Sequence, residues 1–138
     1  MSAASRDKGR RGETELARVL QMLTDAPIRR RVRQHDGDSD LEGLPGWSVE
    51  CKRRSAPPTP SELSAWWQQA VRQAAPEGLR PLLCWRADRQ RDWTFTWPAG
   101  LHNPNSPYPG ALADTLSADP LTWWRMACRL PPPTPTQP

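Results

Sequence analysis

The amino-acid sequence predicts a mixed α/β layer structure, in the order helix, three strands, helix, two strands. Three observations predict it. An apolar stripe with helical spacing opens the chain, a second helix with its own start signal stands in the middle, and the apolar segments beside them alternate or run as strands do. With 138 residues the chain has room for one domain and one hydrophobic core.

The first helix is expected from Gly9 to Leu23. Leu16, Val19, Leu20 and Leu23 recur at three and four, and Asp25-Ala26-Pro27 ends the run. Residues 1–8 are expected as a loose basic arm. Ile28 to Arg33 alternates as a strand, with Ile28, Arg30 and Val32 on one face and Arg29, Arg31 and Arg33 on the other. His35 to Ser39 is a polar turn, in which His35 is a turn residue or a phosphate contact. Leu41 to Gly46 forms a short strand end and a tight turn. Trp47 to Lys52 alternates again, Val49 and Cys51 against Ser48, Glu50 and Lys52.

Thr59-Pro60-Ser61-Glu62 has the form of a capping box with proline at the first helical position. Leu63, Trp66, Trp67, Ala70, Val71 and Ala74 then make one face, and Pro76 to Gly78 stops the helix. Pro81 to Arg86 and Trp93 to Trp97 are the remaining strands. Residues 100–120, rich in Pro, Asn and Gly, are expected as an extended loop, followed by a short helix around Leu121–Cys128 that docks through Trp123 and Trp124. The tryptophan pairs at 66/67 and 123/124 are expected in the core rather than as base-stacking platforms. The domain plan is a core over 1–99, a loop and helix packed on it over 100–130, and a Pro-rich tail over 131–138.

Composition narrows the function. Charged residues make up 25% and hydrophobic ones 36%, which suits a polar globular domain. No run of about 18 apolar residues exists to span a membrane, and no signal segment is read at the N-terminus, so a cytoplasmic location is expected. Cys51, Cys84 and Cys128 are sparse and lack a C-x-x-C pair, which argues for reduced thiols rather than a disulfide frame or zinc site. Net charge is +4. Residues 34–50 hold five acids (Asp36, Asp38, Asp40, Glu42, Glu50) and no Lys or Arg, and Lys52, Arg53 and Arg54 follow at once. Acids framed by cations suit a metal site that must hold a polyanion.

The chemistry is expected between Asp40 and Lys52. Glu50 and Lys52 are two apart on a strand, so they share a face, and Asp40 enters from the neighbouring strand. Two carboxylates with a backbone carbonyl make a hard oxygen site suited to Mg²⁺. A lysine beside it can orient or deprotonate a water. Glu-x-Lys alone is a weak signal, since an exposed ion pair reads the same way. The discriminator is composition: of 19 basic residues only Lys8 and Lys52 are lysines, and an amine can lose its proton where a guanidinium cannot.

Lys8-Gly9-Arg10-Arg11-Gly12-Glu13, Asp40-Leu41-Glu42-Gly43-Leu44-Pro45-Gly46, Val49-Glu50-Cys51-Lys52-Arg53 and Trp66-Trp67-Gln68-Gln69-Ala70 follow one another in order. Together they resemble the Holliday-junction-resolvase-like branch of the PD-(D/E)XK nucleases, especially its small phage-encoded members. The resemblance implies a restriction-endonuclease-like core, a central mixed β-sheet flanked by helices (α-β-β-β-α-β-β) with an irregular C-terminal extension. It implies phosphodiester hydrolysis with Mg²⁺, Mn²⁺ substituting, and products with 5′-phosphate ends. Asp40 and Glu50 would ligate the metal with the Cys51 carbonyl, and Lys52 would be catalytic. Glu13 would complete the acidic site; its Gly9/Gly12 flank, which lets a helix approach a sheet, favours it over Glu15. Gln69 would lie near the centre, although it and Gln73 also fit ordinary helix polarity.

DNA is the expected partner, branched by preference, with a homodimer supplying two cuts. Lys8, Arg10, Arg11, Arg29, Arg31, Arg33, Arg53 and Arg54 are the expected DNA contacts. The alternatives are a nickase or DNA-end nuclease with the same site, a non-catalytic DNA-binding protein of the same fold, and a basic RNA-binding or packaging protein.

Overall fold

The structure, a computed structural model, describes residues 3–31 and 40–131. Val32, Arg33, His35, Asp36, Asp38 and the tail beyond Pro131 lie outside the described residues.

Helix α1 spans Ala3–Thr24 and begins well before the apolar stripe. Residues 3–8 of the expected loose arm are therefore corrected to helix. Ala, Arg and Lys have good helix propensity. Two side-chain anchors hold this first part: Arg10 pairs with Asp7 at 2.7 Å, and Lys8 reaches Asp88 at 2.7 Å. Leu16 and Leu20, both fully buried, face the sheet as their spacing requires. Asp25, with φ of 56°, turns the chain after the last helical residue.

Among the described residues the sheet has six strands in chain order: β1 (Arg29–Arg30), β2 (Leu41–Glu42), β3 (Trp47–Arg54), β4 (Arg80–Ala87), β5 (Thr94–Pro98) and β6 (Thr115–Ala118). The β3–β4 pair is parallel and every other neighbour pair is antiparallel. A parallel pair needs a crossover, and α2 (Pro60–Ala74) supplies it. Its capping box forms as expected: Thr59 accepts from the Glu62 N–H and Glu62 accepts from the Thr59 N–H. Of the strand expected over residues 28–33, Arg29–Arg30 form β1 with Ile28 buried just ahead of it, and Val32 and Arg33 lie outside the described residues.

Residues 100–120 depart from the expected loop. They contain β6, which pairs with β5 along Phe95↔Ala118 to Pro98↔Thr115. Thr-Leu-Ser-Ala carries one large apolar residue, so no alternation marks it; the ladder offered by β5 and the Thr96–Ser117 hydroxyl bond at 2.7 Å hold it instead. Helix α3 (Pro120–Met126) then inserts Trp123. That ring is fully buried and meets Trp47 and Phe95 edge-on at 5.5 and 5.4 Å. Trp124 is half-buried beneath Arg129.

Two apolar clusters sit on opposite faces of the sheet. One joins Leu16, Leu20, Trp47, Val49, Phe95 and Trp123 beneath α1 and α3. The other joins Trp66, Trp67, Ala70 and Leu83 beneath α2. The alternation of β3 therefore sends Val49 and Cys51 toward α1, and Glu50 and Lys52 toward α2. Among the described residues, no helix is long and apolar enough to cross a membrane.

Candidate active site

The β2–β3 hairpin brings Asp40 to Glu50. Its turn needs Gly43, whose φ of +100° and 2.4 Å clearance from the Pro27 carbonyl to an added Cβ exclude a side chain. Asp40 is then fixed by its backbone and its carboxylate together. Its N–H donates to the Val49 carbonyl at 3.1 Å, and its carbonyl accepts from the Arg31 N–H at 3.0 Å. Its Oδ2 accepts from the Cys51 N–H at 2.8 Å. Asp40 thus grips β3 on both sides of Glu50, and holds the two carboxylates together.

Glu50 is buried, its side chain 3% exposed. Oε1 lies 3.1 Å from Lys52 Nζ. Oε2 is buried without a hydrogen-bond donor. Burial, and then the neighbouring Asp40 carboxylate, push Glu50 up to about 8 against the opposing pull of Lys52. A carboxylate held that high is short of positive charge.

Lys52 Nζ is shared between Glu50 Oε1 and Gln69 Oε1, the latter at 2.8 Å. Its direction is thereby set from two elements, the strand and α2. Gln73, one turn on, is a different case: its Oε1 is buried without a donor. The Cys51 thiol points the other way, into the α1 side, where burial and then Asp40 raise it well above its ordinary value.

Glu13 lies on the α1 side of β3. It accepts from Arg30 Nε at 2.8 Å, and its charge reaches the Cys51 thiol. The described residues contain no cluster of three or more His, Cys, Asp or Glu side chains able to hold a metal. Among the described residues, Asp40 and Glu50 are the carboxylates that stand side by side on the Lys52 face of β3. Glu15 faces elsewhere, toward Arg86 and the Trp93 indole N–H, which donates at 3.1 Å. Gly12 does what its position beside Glu13 suggests: an added Cβ would come within 2.5 Å of Arg53 Cβ, so the helix can lie this close to β3 only without one. An added Cβ at Gly9 meets nothing within 4 Å.

The basic residues separate into distinct settings. Lys8 and Arg53 both bond Asp88 at 2.7 Å, and these bonds hold Asp88 below the usual carboxylate range. Arg10 pairs with Asp7. Arg11 donates to the Asp7 carbonyl. Arg29 and Arg31 share Glu42, at 2.8 and 3.7 Å. The Arg54 guanidinium lies over the Trp66 ring. Sequence reasoning missed Asp88 and Arg30. Asp88 lies in the turn after β4 and becomes a partner only when β3 and β4 align in register.

The model of the family described as "Phage putative PDDEXK endonuclease" matches residues 4–99. No curated protein matches the sequence. Among solved structures, that of Archaeoglobus fulgidus Hjc, described as a Holliday junction resolvase from an archaeal hyperthermophile, superposes with a TM-score of 0.49. It shares 19% sequence identity, covering 82% of this chain and 84% of that chain.

Proposed function

This chain belongs to the phage PDDEXK endonuclease family, and we propose that it hydrolyses phosphodiester bonds in DNA at Asp40, Glu50 and Lys52 with a divalent cation. The observation that carries this reading is the Asp40–Glu50 pair. Two adjacent carboxylates, one of them buried with an unpartnered oxygen, are the donor set that a hard dication satisfies. Asp40 and Glu50 would hold Mg²⁺ or Mn²⁺, with the Cys51 carbonyl as a third oxygen. Bound there, such an ion supplies Lewis-acid polarisation of the phosphate and a more acidic water.

The chain's own residues do the rest. Asp40, locked by its backbone and carboxylate bonds, fixes the position of the pair. Lys52 holds its ammonium between Glu50 and Gln69, where it can orient the attacking water and offset charge on the phosphate oxygens. Gln69 positions Lys52. Glu13, through Arg30, braces the β1–β2 side of the site.

Within DNA, we propose a preference for branched duplexes, cut as a homodimer. The support is the resemblance of the four sequence motifs to resolvase-like nucleases and the need for two cuts at a four-way junction. The experiment is a panel of labelled junctions, flaps, single strands and plain duplexes, with and without Mg²⁺, at a recorded oligomeric state. Paired, symmetric cuts in the junction support the full reading. Single nicks in any duplex leave a nickase, and cutting confined to ends leaves an end nuclease. Binding without cleavage in every metal tested leaves only the DNA-binding fold.

A further inference from the structure

Three consecutive cations end β3, and strand alternation sends them to different surroundings. Lys52 is held by Glu50 and Gln69. Arg53, on the α1 side, is held by Asp88. Arg54 returns to the α2 side, the face of Glu50 and Lys52, and there its guanidinium carbon lies 5.4 Å from the centre of the Trp66 ring.

Arg54 is exposed and has no carboxylate partner among the described residues; its guanidinium donates to the Arg53 carbonyl at 3.1 Å. Lys8, Arg10, Arg29, Arg31 and Arg53 are each paired with an acid. The indole changes what Arg54 can do. Trp66 is 8% exposed and anchored in the α2 cluster, so it is a fixed surface. A guanidinium lying on such a ring keeps its charge and most of its in-plane N–H donors for another acceptor. Its place is also set: two residues past Lys52 on one strand face is about 7 Å along the strand.

We propose that Arg54, held over the Trp66 ring, binds a backbone phosphate of the strand being cut, beside the scissile one, and so sets which phosphate lies over Asp40 and Glu50. This rests on the nuclease reading above. The ligand is a nucleic-acid phosphodiester, gripped by charge and by the planar fork of N–H donors. Arg54 contacts substrate and takes no part in proton transfer.

The test is DNA affinity by fluorescence anisotropy, run in Ca²⁺ and again in EDTA over a range of salt, with thermal melts to confirm folding. R54A is expected to weaken binding about tenfold and to lower the salt slope by about one. R54K should recover only part, because an ammonium cannot stack or fork as the guanidinium does. W66L, which keeps apolar bulk and loses the ring, should weaken binding, and the W66L/R54A double variant should be no worse than R54A alone. The control is R18A, an exposed arginine on the outer side of α1, expected to stay within about twofold of wild type. Equal losses in R54A and R18A, or no loss in R54A, would overturn the assignment and leave the nuclease reading intact. Wild-type protein that binds no DNA in either condition would overturn both.

Discussion

Substituting Glu50 by glutamine should stabilise the metal-free protein at alkaline pH, and the size of the effect follows from where the carboxylate sits. Burial and Asp40 hold Glu50 at about 8 against an ordinary 4.5. Between those values the folded chain keeps a proton that the unfolded chain has released. Stability contributed by Glu50 is therefore complete below about pH 4.5 and is lost as pH rises through about 8. At about 1.4 kcal/mol per pKa unit, the loss is a few kcal/mol. Glutamine keeps an acceptor for Lys52 and gains an N–H for Asp40, and it has nothing to ionise. The assay is urea unfolding followed by tryptophan fluorescence in EDTA, from pH 5 to pH 9. The stability of E50Q relative to wild type should climb by a few kcal/mol across that range. Saturating Mg²⁺ should close the gap at high pH, since an ion bound only by the folded state adds about 2.7 kcal/mol at a hundredfold excess over its Kd. A difference that stays flat with pH would show that Glu50 is not desolvated, and would remove the argument for a cation there.

Other substitutions test other parts of the molecule. Lys52→Ala should abolish cleavage while leaving fold and DNA affinity nearly intact, and Lys52→Arg should fail as well, because a broad planar guanidinium cannot take the place of a compact ammonium between Glu50 and Gln69; near-normal turnover in either would reduce Lys52 to an ion-pair partner. Trp123→Ala should cost about 3–5 kcal/mol in urea unfolding, the usual range for emptying a buried aromatic site; a loss below about 1 kcal/mol would mean that α3 is not part of the core. Mutating Arg29, Arg31 and Arg33 together to alanine should weaken DNA binding and flatten its salt dependence. Glu42→Gln, which removes an anion competing for Arg29 and Arg31, should tighten binding; unchanged affinity in both variants would turn that edge away from DNA.

Much of this fold was legible because local chemistry and tertiary need coincide. The Thr59–Glu62 capping box, the stripe of Leu16 and Leu20, and the alternation of Trp93, Phe95 and Trp97 each announce their element before any packing is known. The Glu50/Lys52 face was legible for the same reason, since spacing along a strand decides it. What was not legible depends on partners far along the chain. The first residues of α1 carry no apolar period, and one of their anchors, Asp88, lies 80 residues beyond Lys8. Strand β6 exists because β5 offers it a ladder. The division of labour among Arg53, Arg54 and Asp88 appears only when β3 and β4 align. Glu13 was singled out by its neighbouring glycines, but its bond to Arg30 appears only when α1 packs beside β1.

The most direct test of the site is whether Asp40 and Glu50 bind a dication together and whether cleavage follows that binding. Mn²⁺ titrated into wild type, D40N and E50Q can be followed by electron paramagnetic resonance, with cleavage of labelled DNA measured in the same samples. Wild type should take up Mn²⁺ and cut, EDTA should stop cutting, and both variants should lose tight binding and cleavage together. Full cleavage in excess EDTA, or a D40N protein that cuts like wild type, would contradict a metal-dependent nuclease built on these two carboxylates.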